Sequence, residues 1–495
     1  MSSNAPLPGS DYVDEKAYLR RVRPVGWLNP TPKRLYDLAV LGAGPAGLAA
    51  VESAVRHGLK VALIERYRLG GNSLNAGSIP SKAILRTARA AAVMRDGDAW
   101  GATVRPQVPM DFGAVMARMR GIRTRIAEYH SVDRLCADGV DVFFCDACFM
   151  GPHELGAGEA HLSFKKAIIA TGARPRPSEI PGLGEIEYFT SESIFNITTL
   201  PRRLGIIGGG PLGCELAQAF CRLGTHVIIL QNDPQFLPQE ERDAAQLLSL
   251  SLSRDGVETR LNTTVVGARS EKQKKWLDTV NNDVKASFAI DDILLSIGRI
   301  PNVDGLNLAA ANIDSDCDQG VTVDDCLRTT NSDVYAAGDV CKAHRFANVA
   351  DATGRMAALN AFADERERQS HLMIPSCTYC DPEIARIGMN VVQARQRSVS
   401  AKSFTIMMQD VDRAITDGQD DGFVKIYVRE GTDEIVGATI VAARASEMIN
   451  EMAVIMSAKI GMRQLSRILH SYPAQSDAIR LAAMAYVRNQ PALPW

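Results

Sequence analysis

Two short segments of this chain hold side chains that could do chemistry. Residues 70–82 have the sequence Gly-Gly-Asn-Ser-Leu-Asn-Ala-Gly-Ser-Ile-Pro-Ser-Lys, which places Ser73 and Ser78 ahead of Lys82. Unlike a cysteine thiol, a serine hydroxyl cannot form a redox-active disulfide, because disulfide exchange needs a thiolate that attacks a sulfur. Near the end of the chain, His470 is a candidate proton shuttle. Tyr472, with an ordinary pKa of about 10, is a poor base but a good hydrogen-bond donor.

His470 and Tyr472 are two residues apart in the segment that ends in Asp477. Residues i and i+2 share one face of an extended segment, so we expect both side chains to line one pocket. Packing at an interface is the alternative interpretation for either residue.

A dinucleotide-binding unit begins at residue 37. A short apolar strand, residues 37–41, leads into a glycine-rich turn, a small-residue helix at 48–57 and a second strand at 60–64. The glycines allow close approach of the backbone to a pyrophosphate, the helix N-terminus attracts it, and the acid at the end of the second strand accepts ribose hydroxyls. The residues predicted to bind this nucleotide are Gly42, Gly44, Pro45, Ala46, Gly47, Glu65 and Arg66.

A second unit of the same kind begins at residue 204. Its turn contains Gly208, Gly210 and Gly213, and its second strand ends on Gln231-Asn232. Two such units predict two dinucleotides. An acid at the strand end would favour NAD and an arginine NADP, and because neither is present the sequence leaves that choice open.

With its neighbouring motifs, the 70–82 segment resembles the active-site segment of the flavoprotein disulfide reductases, such as glutathione reductase, dihydrolipoamide dehydrogenase and mercuric reductase. Those enzymes have cysteines at the positions of Ser73 and Ser78. The resemblance extends from about residue 36 to about residue 483 and implies an α/β fold: two Rossmann-like, three-layer dinucleotide-binding domains and an α+β C-terminal dimerisation domain. The expected boundaries are an N-terminal arm (1–36), a first part of the FAD domain (37–183), an NAD(P) domain (184–300), a second part of the FAD domain (301–373) and an interface domain (374–495).

The resemblance also implies roles for individual residues. Lys82 matches the lysine near flavin N5, and Glu215 matches the acid that pairs with it; the alternative is a plain structural ion pair. Tyr472 takes the place of the family's acid–base histidine and Asp477 that of its glutamate, as in mercuric reductase and the soluble pyridine nucleotide transhydrogenases. Further implied FAD contacts are Gly71, Asn72, Ser73, Lys82, Ala147, Ala170, Thr171, Gly172, Arg299, Gly338, Asp339 and Ala347, and Gly298 joins Gln231 and Asn232 in the nicotinamide domain.

We therefore expect an FAD-dependent oxidoreductase that uses NADPH or NADH and passes hydride directly between nicotinamide, flavin and a small non-disulfide acceptor or donor. One alternative is a flavin- and nicotinamide-binding module without turnover. The other is a thiol-dependent reductase that uses the pairs Cys145/Cys148 or Cys377/Cys380. Mercury reduction is disfavoured, since soft Hg(II) prefers thiolates and no cysteine follows Cys380. A zinc site built from both pairs is a further, weaker alternative, and no metal is expected.

Composition limits the partners and the compartment. A net charge of −2 over 495 residues gives no reason to expect nucleic acid or an anionic membrane as a partner. The sequence lacks a signal-peptide pattern and an apolar stretch of about 18 residues, so we expect no membrane insertion. Ten scattered cysteines indicate a reducing compartment, the cytoplasm. The resemblance implies a homodimer. We further expect an extended arm over residues 1–36 and one helix over 110–135.

Overall fold

The computed structural model describes residues 13–103, 110–272, 274–341, 345–364 and 366–490. None of the helices in these ranges is long and apolar enough to cross a membrane.

The first part of the chain builds a mostly parallel sheet. Its elements are α1 (Val13–Val22), β1 (Tyr36–Leu41), α2 (Pro45–Arg56), β2 (Val61–Ile64), α3 (Gly71–Asn75), α4 (Ser78–Arg95), α5 (Phe112–Ala127), α6 (Val132–Ala137), β3 (Asp141–Phe143), β4 (Ala147–Gly151), β5 (Glu154–Ala157), β6 (Ala160–Ile169) and β7 (Ala173–Pro175). Side chains alternate along β1: Leu38 and Val40 join the apolar cluster of α2, while Ala39 and Leu41 join a cluster on the other face. Both faces of the sheet are therefore covered, which makes three layers.

The second part repeats this arrangement around a four-stranded parallel sheet in the order β10-β9-β8-β14. Its elements are β8 (Arg203–Ile207), α7 (Pro211–Arg222), β9 (His226–Leu230), α8 (Arg242–Asp255), β10 (Glu258–Arg260), β11 (Thr264–Glu271), β12 (Lys274–Asn281), β13 (Val284–Ile290), β14 (Asp292–Leu295) and β15 (Arg299–Pro301). Strands β11, β12 and β13 form a separate antiparallel sheet. Strand β15 pairs with β7, so the two segments that connect the first and second sheets run side by side.

The chain then returns to the first sheet. The elements of this return are β16 (Ser315–Asp316), β17 (Gly320–Val321), β18 (Val334–Ala336) and α9 (Ala347–Phe362). Strand β18 pairs in parallel with β6, so the first sheet has seven strands: β3-β2-β1-β6-β5-β4 with β18 beside β6. Helix α9 packs against α2 so closely that a β-carbon on Gly354 would lie 2.1 Å from the carbonyl oxygen of Ala46.

The last part forms a five-stranded antiparallel sheet in the order β19-β20-β23-β22-β21, with helices on one side. Its elements are β19 (Ser376–Thr378), β20 (Glu383–Gly388), α10 (Val391–Gln396), β21 (Ala401–Met407), α11 (Asp412–Thr416), β22 (Phe423–Arg429), β23 (Ile435–Ala442), α12 (Ala445–Ser457), α13 (Met462–Leu465) and α14 (Asp477–Arg488). The parallel sheets and this antiparallel layer together give the predicted α/β class.

Two sequence-based expectations are wrong. The N-terminal arm is not extended throughout, since it contains α1, whose Tyr18 and Val22 are fully buried. The single helix expected over residues 110–135 is two helices, because Ser131 caps a new helix by accepting a hydrogen bond from the Arg134 amide at 3.4 Å.

Candidate active site

The first glycine-rich turn is closed by the acid at the end of β2. Gly42 has a φ of +102°, and a β-carbon there would lie 2.4 Å from the Ala170 carbonyl oxygen. A β-carbon on Gly47 would lie 1.8 Å from the Gly42 carbonyl oxygen. The Ala43 amide donates a hydrogen bond to Glu65 Oε2 at 2.7 Å, and burial raises the pKa of this carboxyl. Only glycine fits at the two contact positions.

Residues 70–78, which contain Ser73 and Ser78 and which we call the serine segment, lie directly against this turn. Gly71 has a φ of +53°, and a β-carbon on it would approach the Gly44 Cα to 2.6 Å. Asn72 ties the segment to β7 by donating a 2.6 Å hydrogen bond to a carbonyl there. Ser73 lies in α3, and Ser78 is the first residue of α4. The fold thus brings both serines beside the nucleotide turn.

Helix α1 contacts and stabilises the serine segment, which the sequence did not predict. The Tyr18 hydroxyl donates to the side chain of Asn75, which in turn donates to the Gly71 carbonyl at 2.7 Å. Glu15 pairs with Arg123 at 2.8 Å, and the Arg123 guanidinium lies 4.3 Å from the centre of the Tyr18 ring. Burial raises the pKa of Tyr18 to about 12, so its hydroxyl stays a donor.

A cleft of about 620 Å³ runs along the first glycine-rich turn and the serine segment. We call it the nucleotide cleft. The predicted residues that line it are Gly42, Gly44, Pro45, Ala46, Glu65, Arg66, Gly71, Asn72, Ser73, Ser78, Ala170, Thr171, Gly172, Arg299, Gly338, Asp339 and Ala347. Three predicted contacts are absent from this lining. Gly47 is packed beneath the turn, Lys82 lies one helical turn deeper in α4, and for Ala147 it is the preceding Asp146 that faces the cleft.

The far wall of the nucleotide cleft comes from the returning segment. Asp339 lies in the short 3-10 helix Gly338–Val340 and forms a salt bridge with Arg299, whose Nη1 is 2.9 Å away. Burial raises the pKa of Asp339, and the Arg299 guanidinium opposes that effect. Arg345 donates to the Arg299 carbonyl, and α9 begins two residues later at the cleft.

The polar groups of this cleft suit FAD. The Nε atoms of Arg299 and Arg345 are buried without a hydrogen-bond partner among the described residues. Buried donors of this kind are normally satisfied, so these two atoms suit an acceptor of a group bound in the cleft. The free amides at the N-terminus of α2 and its glycine-rich turn suit a pyrophosphate, and Glu65 lies where a ribose would be bound.

A buried ion pair joins three distant parts of the chain. Lys82 Nζ lies 3.0 and 2.8 Å from the two carboxylate oxygens of Glu215 in α7. The Glu215 side chain is 3% exposed, and the Tyr379 amide donates a further 2.9 Å hydrogen bond to it. The Lys82 ammonium also lies 4.3 Å from the centre of the Tyr379 ring. The carboxylate is therefore fully compensated, and one cation is held close to the serine segment.

The cysteines of the two pairs lie in different parts of the fold. Cys377 lies in β19 and contacts the apolar cluster of the C-terminal domain, whereas Cys380 is buried in the cluster around α7. Burial raises the pKa of both thiols. Cys145 packs near β4 in the first sheet, and burial raises its pKa to about 11. Across the described residues, the one group close enough to share a metal ion is the exposed set Asp316, Cys317 and Asp318, so these ranges contain no four-thiolate site.

A second cavity of about 680 Å³, which we call the outer cavity, opens between α2, α6 and α9. Ser73 and Pro45 line both this cavity and the nucleotide cleft, whereas Ser78 faces only the nucleotide cleft. Ala347 is also shared, and we call these three shared residues the wall between the two spaces. Tyr129 and His130 add polar groups to the outer cavity, and burial lowers the pKa of His130.

The second glycine-rich turn repeats the geometry of the first. Gly208 has a φ of +106°, and a β-carbon on Gly213 would lie 2.2 Å from the Gly208 carbonyl oxygen. The turn leads into α7, whose first residue follows Gly210. Gln231 is buried at the end of β9 and Asn232 is exposed beside it. Gly298, with a φ of +103°, ends the loop that follows β14.

Within one chain, the C-terminal segment lines neither cavity. His470 turns inward, with its Nε2 2.6 Å from Glu451 and its side chain 7% exposed. Tyr472 is 74% exposed and donates to Asp412 Oδ2 at 2.6 Å, which raises its pKa. Asp477 binds Arg480 at 2.7 Å rather than either of them. The two side chains therefore do not share one pocket in the single chain.

Several cleft residues were missed by sequence reasoning. Asn302 donates a hydrogen bond to the Thr171 carbonyl at 2.9 Å. No sequence motif marked it as a nucleotide contact, although it lies four residues after Gly298. Glu192 and Arg345 line the cleft from loops with no recognisable pattern. Burial raises the pKa of Glu192. These residues can be recognised as cleft residues only in the folded structure, where the segments around Glu192, Asn302 and Arg345 meet at the cleft.

Comparison with known proteins gives a consistent assignment. The family model for the pyridine nucleotide-disulphide oxidoreductases matches residues 36–360, and the model for their dimerisation domain matches residues 374–483. A mercuric reductase of Acidithiobacillus ferrooxidans is 30% identical over 458 residues, which cover 91% of this chain and 83% of the relative. Dihydrolipoyl dehydrogenase 3 of Haloarcula marismortui is 30% identical over 462 residues, which cover 90% of this chain and 95% of the relative.

Solved structures agree. The HOCl-induced flavoprotein disulfide reductase RclA from Escherichia coli superposes with a TM-score of 0.81 at 25% identity, over 91% of this chain and 99% of that one. LpdA from Mycobacterium tuberculosis gives 0.81 at 26% identity over the same shares. The predicted fold class and enzyme class are confirmed. This chain belongs to the pyridine nucleotide-disulphide oxidoreductase family, whose members are FAD-dependent oxidoreductases that use NAD(P)H.

Proposed function

We propose that this enzyme transfers electrons between NAD(P)H and a small non-disulfide acceptor or donor, without a redox-active disulfide. The observation that supports this most is the place of the two serines. Ser78 faces the nucleotide cleft alone, and Ser73 forms part of the wall that the cleft shares with the outer cavity. A thiol pair at these positions would relay electrons through the wall, and a hydroxyl pair cannot.

The chain has groups that would favour a reduced flavin. When bound, FAD supplies two-electron hydride chemistry between a nicotinamide and an acceptor. Lys82 places a positive charge near the serine segment, and Glu215 holds its ammonium at 2.8 Å. The N-terminus of the 16-residue helix α9 adds a positive dipole end at the cleft through Ala347. These charges would stabilise an anion in the cleft and speed its formation.

The outer cavity is the proposed site of the small acceptor or donor. Its wall combines apolar side chains of α2, such as Val51 and Val55, with Tyr129 and the imidazole of His130. Burial and the neighbouring Arg134 lower the pKa of His130, so the ring is neutral at pH 7. A flat, partly polar molecule such as a quinone, a nitroaromatic compound or a second nicotinamide suits such a cavity.

A homodimer would complete the site. The dimerisation domain leaves Leu469, Tyr472 and Val454 strongly exposed, which supports a protein–protein interface on this face. We propose that Tyr472 of one subunit lies beside the serine segment of the other, with Asp412 orienting its hydroxyl. His470, which is held by Glu451, would support the segment from behind. The ten cysteines are scattered along the chain, which supports a reducing compartment such as the cytoplasm.

An anaerobic titration tests the proposal. Purified enzyme with bound FAD is titrated with NADH and then NADPH while the flavin absorbance is recorded. We expect full bleaching after one equivalent, no long-wavelength thiolate–flavin band, and the same result after alkylation with iodoacetamide. Absence of bleaching with either nucleotide, despite tight FAD, would instead support a binding module without turnover.

A thiol-dependent reductase, acting on a disulfide or on Hg(II), is the second candidate. Tyr379, between Cys377 and Cys380, contacts both members of the Lys82–Glu215 pair, so these thiols lie near the reactive end of the site. The relatives that act on mercury or dihydrolipoyl groups add weight to this candidate. Replacing each pair with alanine, Cys377/Cys380 and Cys145/Cys148, decides between the two candidates, because unchanged turnover in both variants eliminates the thiol route.

A further inference from the structure

We propose that Asp233, held in place by Gln231, makes this enzyme selective for NADH over NADPH. This inference rests on the proposed function, since it assigns the nicotinamide nucleotide of the same site. It answers the question that the strand-end residues Gln231 and Asn232 leave open in the sequence.

The two nucleotide units can be compared atom by atom. In the first, Glu65 accepts two backbone hydrogen bonds at 2.7 Å, from the Ala43 amide in the turn and from the Tyr67 amide two residues later. In the second, Gln231 Oε1 accepts from the Gly209 amide at the matching turn position, also at 2.7 Å. The Gln231 side chain thus performs the structural half of the role that Glu65 has in the first unit.

The other half of that side chain differs. An amide nitrogen is a donor and cannot accept a backbone N–H, so it needs an acceptor of its own. Gln231 Nε2 donates to Asp233 Oδ2 at 2.7 Å. The negative charge that the first unit has at the strand end is therefore moved two residues along the chain in the second, to the half-exposed Asp233 that Gln231 holds.

The surroundings leave this charge unneutralised. Among the described residues no ion pair involves Asp233, and its neighbour Asn232 is uncharged. The arginine on the adjacent strand β10 is Arg260, whose backbone carbonyl accepts a hydrogen bond from the backbone N–H of Gln231. Its guanidinium is held by Glu258 at 2.6 Å and lies 5.8 Å from the Phe288 ring centre. A carboxylate without a cationic partner here can accept the 2′-hydroxyl of NADH and repels the 2′-phosphate of NADPH.

Calorimetric titration of the FAD-loaded enzyme with NAD+ and NADP+ tests this. The oxidised nucleotides cannot reduce the flavin, so the readout does not depend on turnover. We expect the wild type to bind NAD+ at least about tenfold more tightly than NADP+. Asp233→Asn should lower that ratio to about one, by weakening NAD+ binding and strengthening NADP+ binding. The matched control is Asp283→Asn, an exposed acid in the β12–β13 hairpin, which should leave the ratio unchanged.

The results that would overturn the inference are distinct. Equal or tighter binding of NADP+ by the wild type refutes it, and so does an unchanged ratio in Asp233→Asn that still contains stoichiometric FAD. An Arg260→Ala variant adds a check, because loss of NADP+ binding there would assign the 2′-phosphate to that arginine. Selective binding of NAD+ combined with no flavin reduction by NADH would instead refute the proposed function and leave this inference standing.

Discussion

Replacing Lys82 with methionine should separate the structural and chemical roles of the buried ion pair. Methionine keeps the length and apolar stem of lysine but removes the ammonium that lies 3.0 and 2.8 Å from Glu215. Among the described residues, the carboxylate, 3% exposed, would then keep only the Tyr379 backbone amide as a hydrogen-bond donor. We expect a large loss of stability and slower flavin reduction.

The size of the loss follows from the burial of the two partners. Removing one member of a fully buried pair costs about 3–5 kcal/mol, because the other charge is left uncompensated. Lys82 keeps 33% of its side chain exposed, and water can therefore solvate part of the remaining charge. We expect about 2–3 kcal/mol of lost unfolding free energy. Loss of the cation should raise the barrier to flavin reduction by about 1–2 kcal/mol, which corresponds to a rate roughly 5 to 30 times lower.

Urea unfolding and anaerobic stopped-flow reduction by NADH measure the two effects separately. The matched variant is Lys82→Met combined with Glu215→Gln, which removes both charges. Because no uncompensated charge remains, this double variant should regain most of the stability but none of the rate.

Two results would refute this reasoning. If Lys82→Met unfolds at the wild-type urea concentration, the pair is not electrostatically important to folding. If the double variant reduces its flavin at the wild-type rate, the cation has no role in the chemistry, and the pair is a structural ion pair only.

Three further predictions concern the serine segment and the outer cavity. Ser73→Cys with Ser78→Cys should raise the NADH needed for full reduction from one equivalent to two and add a long-wavelength band; one equivalent and no band would show that the two positions do not form a redox pair. Tyr18→Phe should lower the unfolding free energy by about 1 kcal/mol through the lost hydrogen bond to Asn75, measured by urea unfolding, and an unchanged midpoint would contradict this. Burial lowers the pKa of His130, so its contribution to stability is complete above the ordinary histidine value of about 6.5 and is lost as the pH falls through the lowered value. His130→Asn should flatten the decline in melting temperature below pH 6.5, whereas the exposed His57→Asn should not.

The two nucleotide units were predictable because much of their geometry is local. A β-carbon at Gly47 or Gly213 would lie within 2.2 Å of the carbonyl oxygen of the first glycine of the same turn, so this part of the glycine pattern is a direct consequence of the backbone path. The errors arose where local signals compete. A polar, proline-containing arm concealed α1, whose buried Tyr18 is stabilised by contacts with Asn75 and Arg123 more than fifty residues away.

The sequence by itself determined the fold class, the family resemblance and the presence of serines where a redox pair would lie, since these depend on residue types at fixed spacing. Tertiary structure decided which groups meet. The Lys82–Glu215 pair spans 133 residues, and Ser73 separates two cavities that are built from distant helices. The inward turn of His470 and the free charge of Asp233 likewise depend on the partners Glu451 and Gln231. Such contacts are set by packing and by the need to satisfy buried polar groups, which spacing along the chain does not record.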